Sequence, residues 1–137
     1  MKNDKTPLTP SDLDGFTGTE GYHKLTYLKG LVCTDGVKYL AEHAGGGCFW
    51  LVDAVASHLP QVLKNAKLRE FQLWRLERTP NTEHGVTLTC RGDTHDKPVV
   101  TQVIEYSDFP AELMPFEWYV GPGPDGKYMV MLLKSEY

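Results

Sequence analysis

Cys48 is the residue of this chain best placed to be a nucleophile, because it follows Gly45-Gly46-Gly47 and opens the apolar run Phe49 to Ala56. At the start of a helix, free amide N–H groups and the helix dipole lower a thiol pKa and can hold an oxyanion. Three glycines in front of it would let a substrate backbone approach closely. A thiol hydrolase also needs a base and a group to orient that base. His84, just before the segment Gly85 to Cys90, is the candidate base, and Asp93 is the candidate orienting group, with Asp96 or Gln102 as alternatives. Cysteine on a helix, then histidine and an acid on later strands, resembles the papain-like plan. The same residues also have a plainer reading. A cysteine beside Phe49 and Trp50 packs as a small hydrophobe, glycines between helices make a turn, and His84 between Glu83 and Gly85 is a solvated turn residue.

Two other constellations carry chemistry. Asp53 and Ser57 lie four apart with Trp50 three residues before Asp53, so the three share one helix face, and His58 follows at its end. This polar strip is either the satisfied edge of a packed helix, with Asp53 bonded to Ser57 or a loop amide, or the lining of a cleft. The structural role is favoured, because polar groups at a packed face are normally paired. His84, Cys90, Asp93, His95 and Asp96 fall close together, but H-x5-C-x4-H is not a zinc spacing. Cys90 alternates with Val86 and Leu88 and would point inward, away from loop ligands. The expectation is no metal and no cofactor.

The elements that must position these residues are readable in part. Val37, Leu40, Ala41 and Ala44 recur at helical spacing behind Thr34, a natural N-cap, and Asp35 adds a negative charge to the first turn. Phe49 to Leu59 is so densely apolar that it reads as the central helix, with Pro60 kinking it or starting an extra turn. From Glu70 the pattern changes to strands: Glu70–Arg78, Gly85–Cys90, Val99–Tyr106, Phe116–Val120 and Tyr128–Leu133. Val99–Tyr106, rich in β-branched residues, has the look of a central strand. Gly121 to Gly126 makes the last two strands a hairpin. The segment His23 to Leu31 is helical or extended, and residues 1–12 read as a flexible tail. Helices first and strands after, with short connections, predict an α+β single domain over 1–137. In it, N-terminal helices pack on one face of a mainly antiparallel sheet of about five strands.

A chain of 137 residues can bury a core of its own, and a net charge of −4 without a basic cluster argues against nucleic-acid binding. Three cysteines without a CxxC, and an N-terminus MKNDKTPLTP lacking an apolar run, predict a reduced, cytoplasmic protein that does not enter a membrane.

The segments FTGTEGYHK, TDGVKYLAEHAG, FWLVDAVASH, EFQLWRLE, IEYSDFP and LLKSEY together resemble a family of small uncharacterised bacterial, phage and plasmid proteins, a domain of unknown function. The resemblance runs from Phe16 to Tyr137. It implies one domain, often carried on mobile elements, and brings no activity or site residue with it. Gly47-Cys48 departs from the family pattern, in which small or aromatic residues precede the tryptophan. That departure argues against a family-wide catalytic role for Cys48.

Aromatic residues crowd the strand half, and one layer of helices covers only one face of a sheet. The sequence therefore predicts that Trp74 or Trp118, but not both, faces away from the helices and joins Tyr119 in a binding surface for a protein partner or a second copy. The leading functional reading is a non-enzymatic interaction or accessory module of a phage or mobile element, modulating a host factor or defence. The alternative is the thiol hydrolase of Cys48 and His84.

Overall fold

The computed structural model describes residues 8–137. The architecture is α+β. Four helices, α1 (Pro10–Asp14), α2 (Asp35–His43), α3 (Phe49–Val62) and α4 (Ala66–Glu70), accompany six strands: β1 (Leu31–Cys33), β2 (Gln72–Arg78), β3 (Val86–Arg91), β4 (Val100–Ile104), β5 (Phe116–Pro122) and β6 (Met129–Leu133). The strands form one sheet in the order β1-β6-β5-β2-β3-β4. All neighbours are antiparallel except β1 and β6, which run parallel. The sheet is thus six-stranded and mixed rather than five-stranded. The additional strand is β1, three residues whose parallel partner lies almost a hundred positions away, a pairing no local pattern announces.

Helix α2 begins as its sequence requires. The Thr34 hydroxyl oxygen accepts from the Val37 amide at 3.4 Å. The carboxylate of Glu136 supplies a second cap from the other end of the chain. It accepts from the Gly36 amide at 3.0 Å, the Leu133 amide at 3.0 Å and the Thr34 hydroxyl at 2.6 Å. An anion at a helix N-terminus meets both free N–H groups and the positive end of the dipole. Glycine at position 36 leaves room for this cap, because a Cβ there would lie 2.6 Å from both Glu136 Oε1 and Leu133 Cδ1 and those side chains would have to move. Asp35 ties the same turn to the preceding loop. The Glu20 amide and the His23 ring donate to it at 2.9 and 2.7 Å and hold its carboxyl below the usual carboxylate range.

Helix α3 is the core helix, burying Leu51, Val52, Val55, Ala56, Leu59 and Val62. Pro60 lies inside it, and the helix continues to Val62. α3 runs antiparallel to β4: the Gly46 amide meets Asp108 at 2.8 Å, His58 Nε2 meets Gln102 Oε1 at 2.7 Å, and Lys67 Nζ meets Asp96 at 2.5 Å.

Three expectations need correction. Trp74 and Trp118 are register partners on β2 and β5, so both point to the helix side. Both are fully buried, with ring centroids 6.4 Å apart. Val99–Tyr106 yields not a central strand but the edge strand β4, since β-branched composition reports fitness for a pleated surface and not position in a sheet. Of the tail expected over residues 1–12, residues 1–7 lie outside the described residues, while Leu8 is already core and α1 begins at Pro10.

Because Leu51 is wholly enclosed, Leu51→Ala is expected to destabilise by about 2–5 kcal/mol through loss of burial and cavity formation. Glu136→Ala strips charged acceptor bonds from three donors and is expected to cost about 1.5–3 kcal/mol or more. Chemical denaturation of each variant beside the wild type checks both. A change below about 0.5 kcal/mol for Glu136→Ala would show that α2 is held by burial alone.

Candidate functional site

Cys48 does stand at the N-cap of α3, but it points inward. It is 1% exposed, and its thiol donates to the Leu40 carbonyl at 3.4 Å. Burial, reinforced by the Asp108 carboxylate, pushes its pKa up to about 12, opposite to what a nucleophile needs. The glycine loop is already occupied. Gly45 has φ +58, and a Cβ there would meet the Asp108 backbone oxygen at 2.4 Å, while Gly46 N–H bonds the Asp108 carboxylate. Asp108 thus fills the space at the glycine loop that an approaching substrate backbone would need.

His84 is exposed, beside Glu83 at 3.6 Å and with its ring 5.0 Å from that of Tyr106. Asp93 accepts from the Thr94 amide at 2.6 Å and closes its own turn. Among the described residues no hydrogen bond joins Cys48 to His84 or His84 to Asp93, so the structure does not bring the three together. Cys90 faces the core with Val86 and Leu88, and no described group of His, Cys, Asp and Glu converges as a metal site.

The polar strip of α3 lines a real cleft. Asp53 and Ser57, with Trp50 and Ala54, form one wall, and Gln102, Ile104 and Tyr106 of β4 and its extension form the other, enclosing about 770 Å³. The Ser57 hydroxyl donates to the Ala54 carbonyl at 2.7 Å and not to Asp53. His58 leaves the strip to bond Gln102 and approaches Trp74, ring centroids 6.3 Å apart.

Tyr119 occupies the face of the sheet that the helices leave open. There it clusters with Phe71, 4.8 Å away, and Tyr137, 5.1 Å away. Neither partner was foreseen, because they come from the ends of two distant segments and share no periodicity with β5. Two grooves adjoin the cluster, one of about 370 Å³ bounded by Tyr22, Phe71, Leu132 and Tyr137, the next of about 330 Å³ bounded by Val32 and Tyr128. They share Tyr22, Gly123, Pro124 and Val130, so they run on from one another. The middle of the same face is polar instead. Arg75 donates to Glu117 at 2.6 and 2.8 Å, and Lys134 reaches Glu117 at 2.6 Å from the other side. The open face is therefore charged at its centre and aromatic toward β6 and β1.

A family of unknown function, DUF6876, matches residues 7–137. The chain belongs to this family. No curated protein and no solved structure matches it. Membership in DUF6876 agrees with one domain-sized unit and assigns no residue a role. Among the described residues no helix is long and apolar enough to cross a membrane.

All three cysteines are free and buried, each with its pKa pushed up to about 12. A thiol-specific disulfide reagent at about pH 8, where a free thiol reacts readily, is therefore expected to label none of them in the native protein and all of them in denaturant. Fast native labelling of Cys48 would reverse the account of its burial.

Proposed function

We propose that this protein is a non-enzymatic interaction module that docks an extended segment of a partner protein on the aromatic end of its open sheet face. One observation carries the reading. Two continuous grooves are walled by Tyr22, Phe71, Tyr128 and Tyr137 and floored by Val32, Val130 and Leu132, on a sheet face that no helix of the described residues covers. Tyrosine presents a large rigid apolar surface with a polar tip, at a low cost in side-chain entropy. Exposed Glu70 and Asp125 stand on the rim, and among the described residues no lysine or arginine lines either groove. The fitting occupant is therefore aliphatic or proline-rich with a basic flank. A chain in polyproline conformation suits such a site, since it is already ordered before it binds.

The buried thiols and the absence of a base beside Cys48 among the described residues leave the hydrolase alternative without support. Small size, mild acidity and the resemblance to proteins of mobile elements support a cytoplasmic accessory module of a phage or mobile element, modulating a host factor or defence.

Panning a random peptide library against the full chain, then mapping selected peptides by amide chemical shifts, tests the reading. The expected outcome is enrichment of proline or aliphatic residues with Lys or Arg. Shifts are expected at Val130, Leu132 and Tyr137, with affinity at least about tenfold lower for Tyr22→Ala and Tyr137→Ala, that is about 1.4 kcal/mol. Peptides that shift only residues elsewhere, or no selection at all, would overturn it.

A further inference from the structure

The two edges of the sheet are treated differently. At β1, Cys33 exchanges two backbone hydrogen bonds of 2.8 Å with His23, which closes that edge. β4 ends the sheet on the other side, and among the described residues no strand lies beyond it. Backbone alternation fixes which of its groups are free. Thr79 N–H donates to Gly85 O across the β2–β3 pair, so the odd-numbered residues of β3 turn their N–H and C=O toward β2, and Val86, Leu88 and Cys90 turn theirs toward β4. Their partners Ile104, Gln102 and Val100 point inward in return. The N–H and C=O of Thr101 and Val103 are left pointing out of the sheet.

Natural edges are normally guarded by proline, by charge or by brevity. Val100-Thr101-Gln102-Val103-Ile104 carries no proline and no charge, and Val103 is 60% exposed. We propose that β4 pairs antiparallel with β4 of a second copy of this chain, about a twofold axis through Gln102, so that two sheets become one. Thr101 then lies opposite Val103 of the second copy, and every outward N–H and C=O of the two residues finds a partner. Glu105 falls opposite Val99 of the second copy and not opposite another carboxylate, so no like charges meet across the axis.

The cleft beside the edge favours a second copy over an unrelated strand. Because α3 runs antiparallel to β4, with His58 over Gln102, the same twofold axis brings the α3 flanks of the two copies side by side. Ala54 and Ser57 are small and permit that approach. Asp53 is directed toward Gln61 and Lys64 at the opposite end of the other helix, not toward its own twin. Pairing of five residues alone would bury less than the roughly 1,200 Å² of a stable interface, and closing the cleft adds Trp50, Ile104 and Tyr106 to it. This surface is separate from the aromatic grooves and does not depend on what they bind.

Sedimentation equilibrium of the full chain between about 1 and 500 µM, where micromolar association is visible, tests the pairing. The wild type is expected to show a monomer–dimer equilibrium. Val103→Pro, tolerated where the N–H faces outward, and Val103→Lys are each expected to raise the dissociation constant at least about tenfold, with an unchanged unfolding midpoint at low concentration. Hydrogen exchange on the wild type supplies a measurement that needs no variant. The amides of Thr101 and Val103 are expected to gain protection as concentration rises. A wild type monomeric throughout, a dimer indifferent to the folded variants, or a dimer whose Thr101 and Val103 amides exchange as fast as in the monomer would each overturn the proposal.

Discussion

The carboxylate of Glu136 holds the two ends of this fold together. It accepts from Leu133 in its own segment and from Thr34 and Gly36 at the start of α2, so the last strand and the first are fastened at one point. β1 is only three residues long and pairs in parallel, which gives it little stability of its own. Anchored at Thr34 to the Met131 carbonyl and through Glu136, it has no freedom to slip along β6. From there the direction of α2 follows, and from α2 the position of the glycine loop. Asp108 fastens that loop to the segment after β4, and α3 must then lie along β4. A short run of charge-assisted contacts thus sets the position of the apolar helix that fills the core.

Once α3 is in place the sheet has two unlike faces. The helix side takes Trp74, Trp118, Leu76, Leu88 and Met131, all fully buried. The Trp74 indole N–H is satisfied by Gln72, itself bonded to the Leu68 carbonyl, while the indole N–H of the adjacent Trp118 is buried without a partner among the described residues. On the other side, Arg75, Glu117 and Lys134 make a ladder whose carboxylate titrates below its ordinary value. Burial works to raise it, and the Lys134 and Arg75 hydrogen bonds outweigh burial. Such a ladder keeps the centre of an uncovered sheet soluble. Lys134 touches the aromatic end only at Tyr119, 5.9 Å from its ring centroid, and Tyr22, Tyr128 and Tyr137 beyond it stay exposed.

Local chemistry was legible in the residues, and long-range pairing was not. Thr34 as cap, the stripe of α2, the apolar α3 and the hairpin of β5 and β6 follow from spacing and turn residues, and all are present. The strip of Trp50, Asp53 and Ser57 shares one side of α3 because a helix repeats every 3.6 residues, and it does line a cleft. What failed depended on register. Trp74 and Trp118 share a face only because β2 and β5 pair residue 74 with 118, and a shift of one position would have put one of them outside. Likewise, the β-branched run of β4 fits an edge as well as a centre, since its neighbours and not its own residues decide. Cys48 was misread for a related reason: its place at a helix start is local and legible, but its burial under the rest of the fold is not, and burial raises the thiol pKa.

The grooves and the free edge lie on opposite sides of one sheet, with β5, β2 and β3 between β6 and β4. That separation has a consequence for binding. A twofold axis relating two antiparallel edge strands stands perpendicular to the sheet, so both open faces of a paired molecule look the same way. Two aromatic grooves would then face one surface, held apart by a continuous rigid sheet rather than by a flexible tether. For a partner that repeats its docking segment at a matching distance, the second contact becomes intramolecular and overall binding strengthens by orders of magnitude without any new contact chemistry. For a partner with one segment nothing is gained. On the proposed pairing, an unguarded edge would have a physical use in a molecule of this size: it would convert a small groove of modest affinity into half of a bivalent surface.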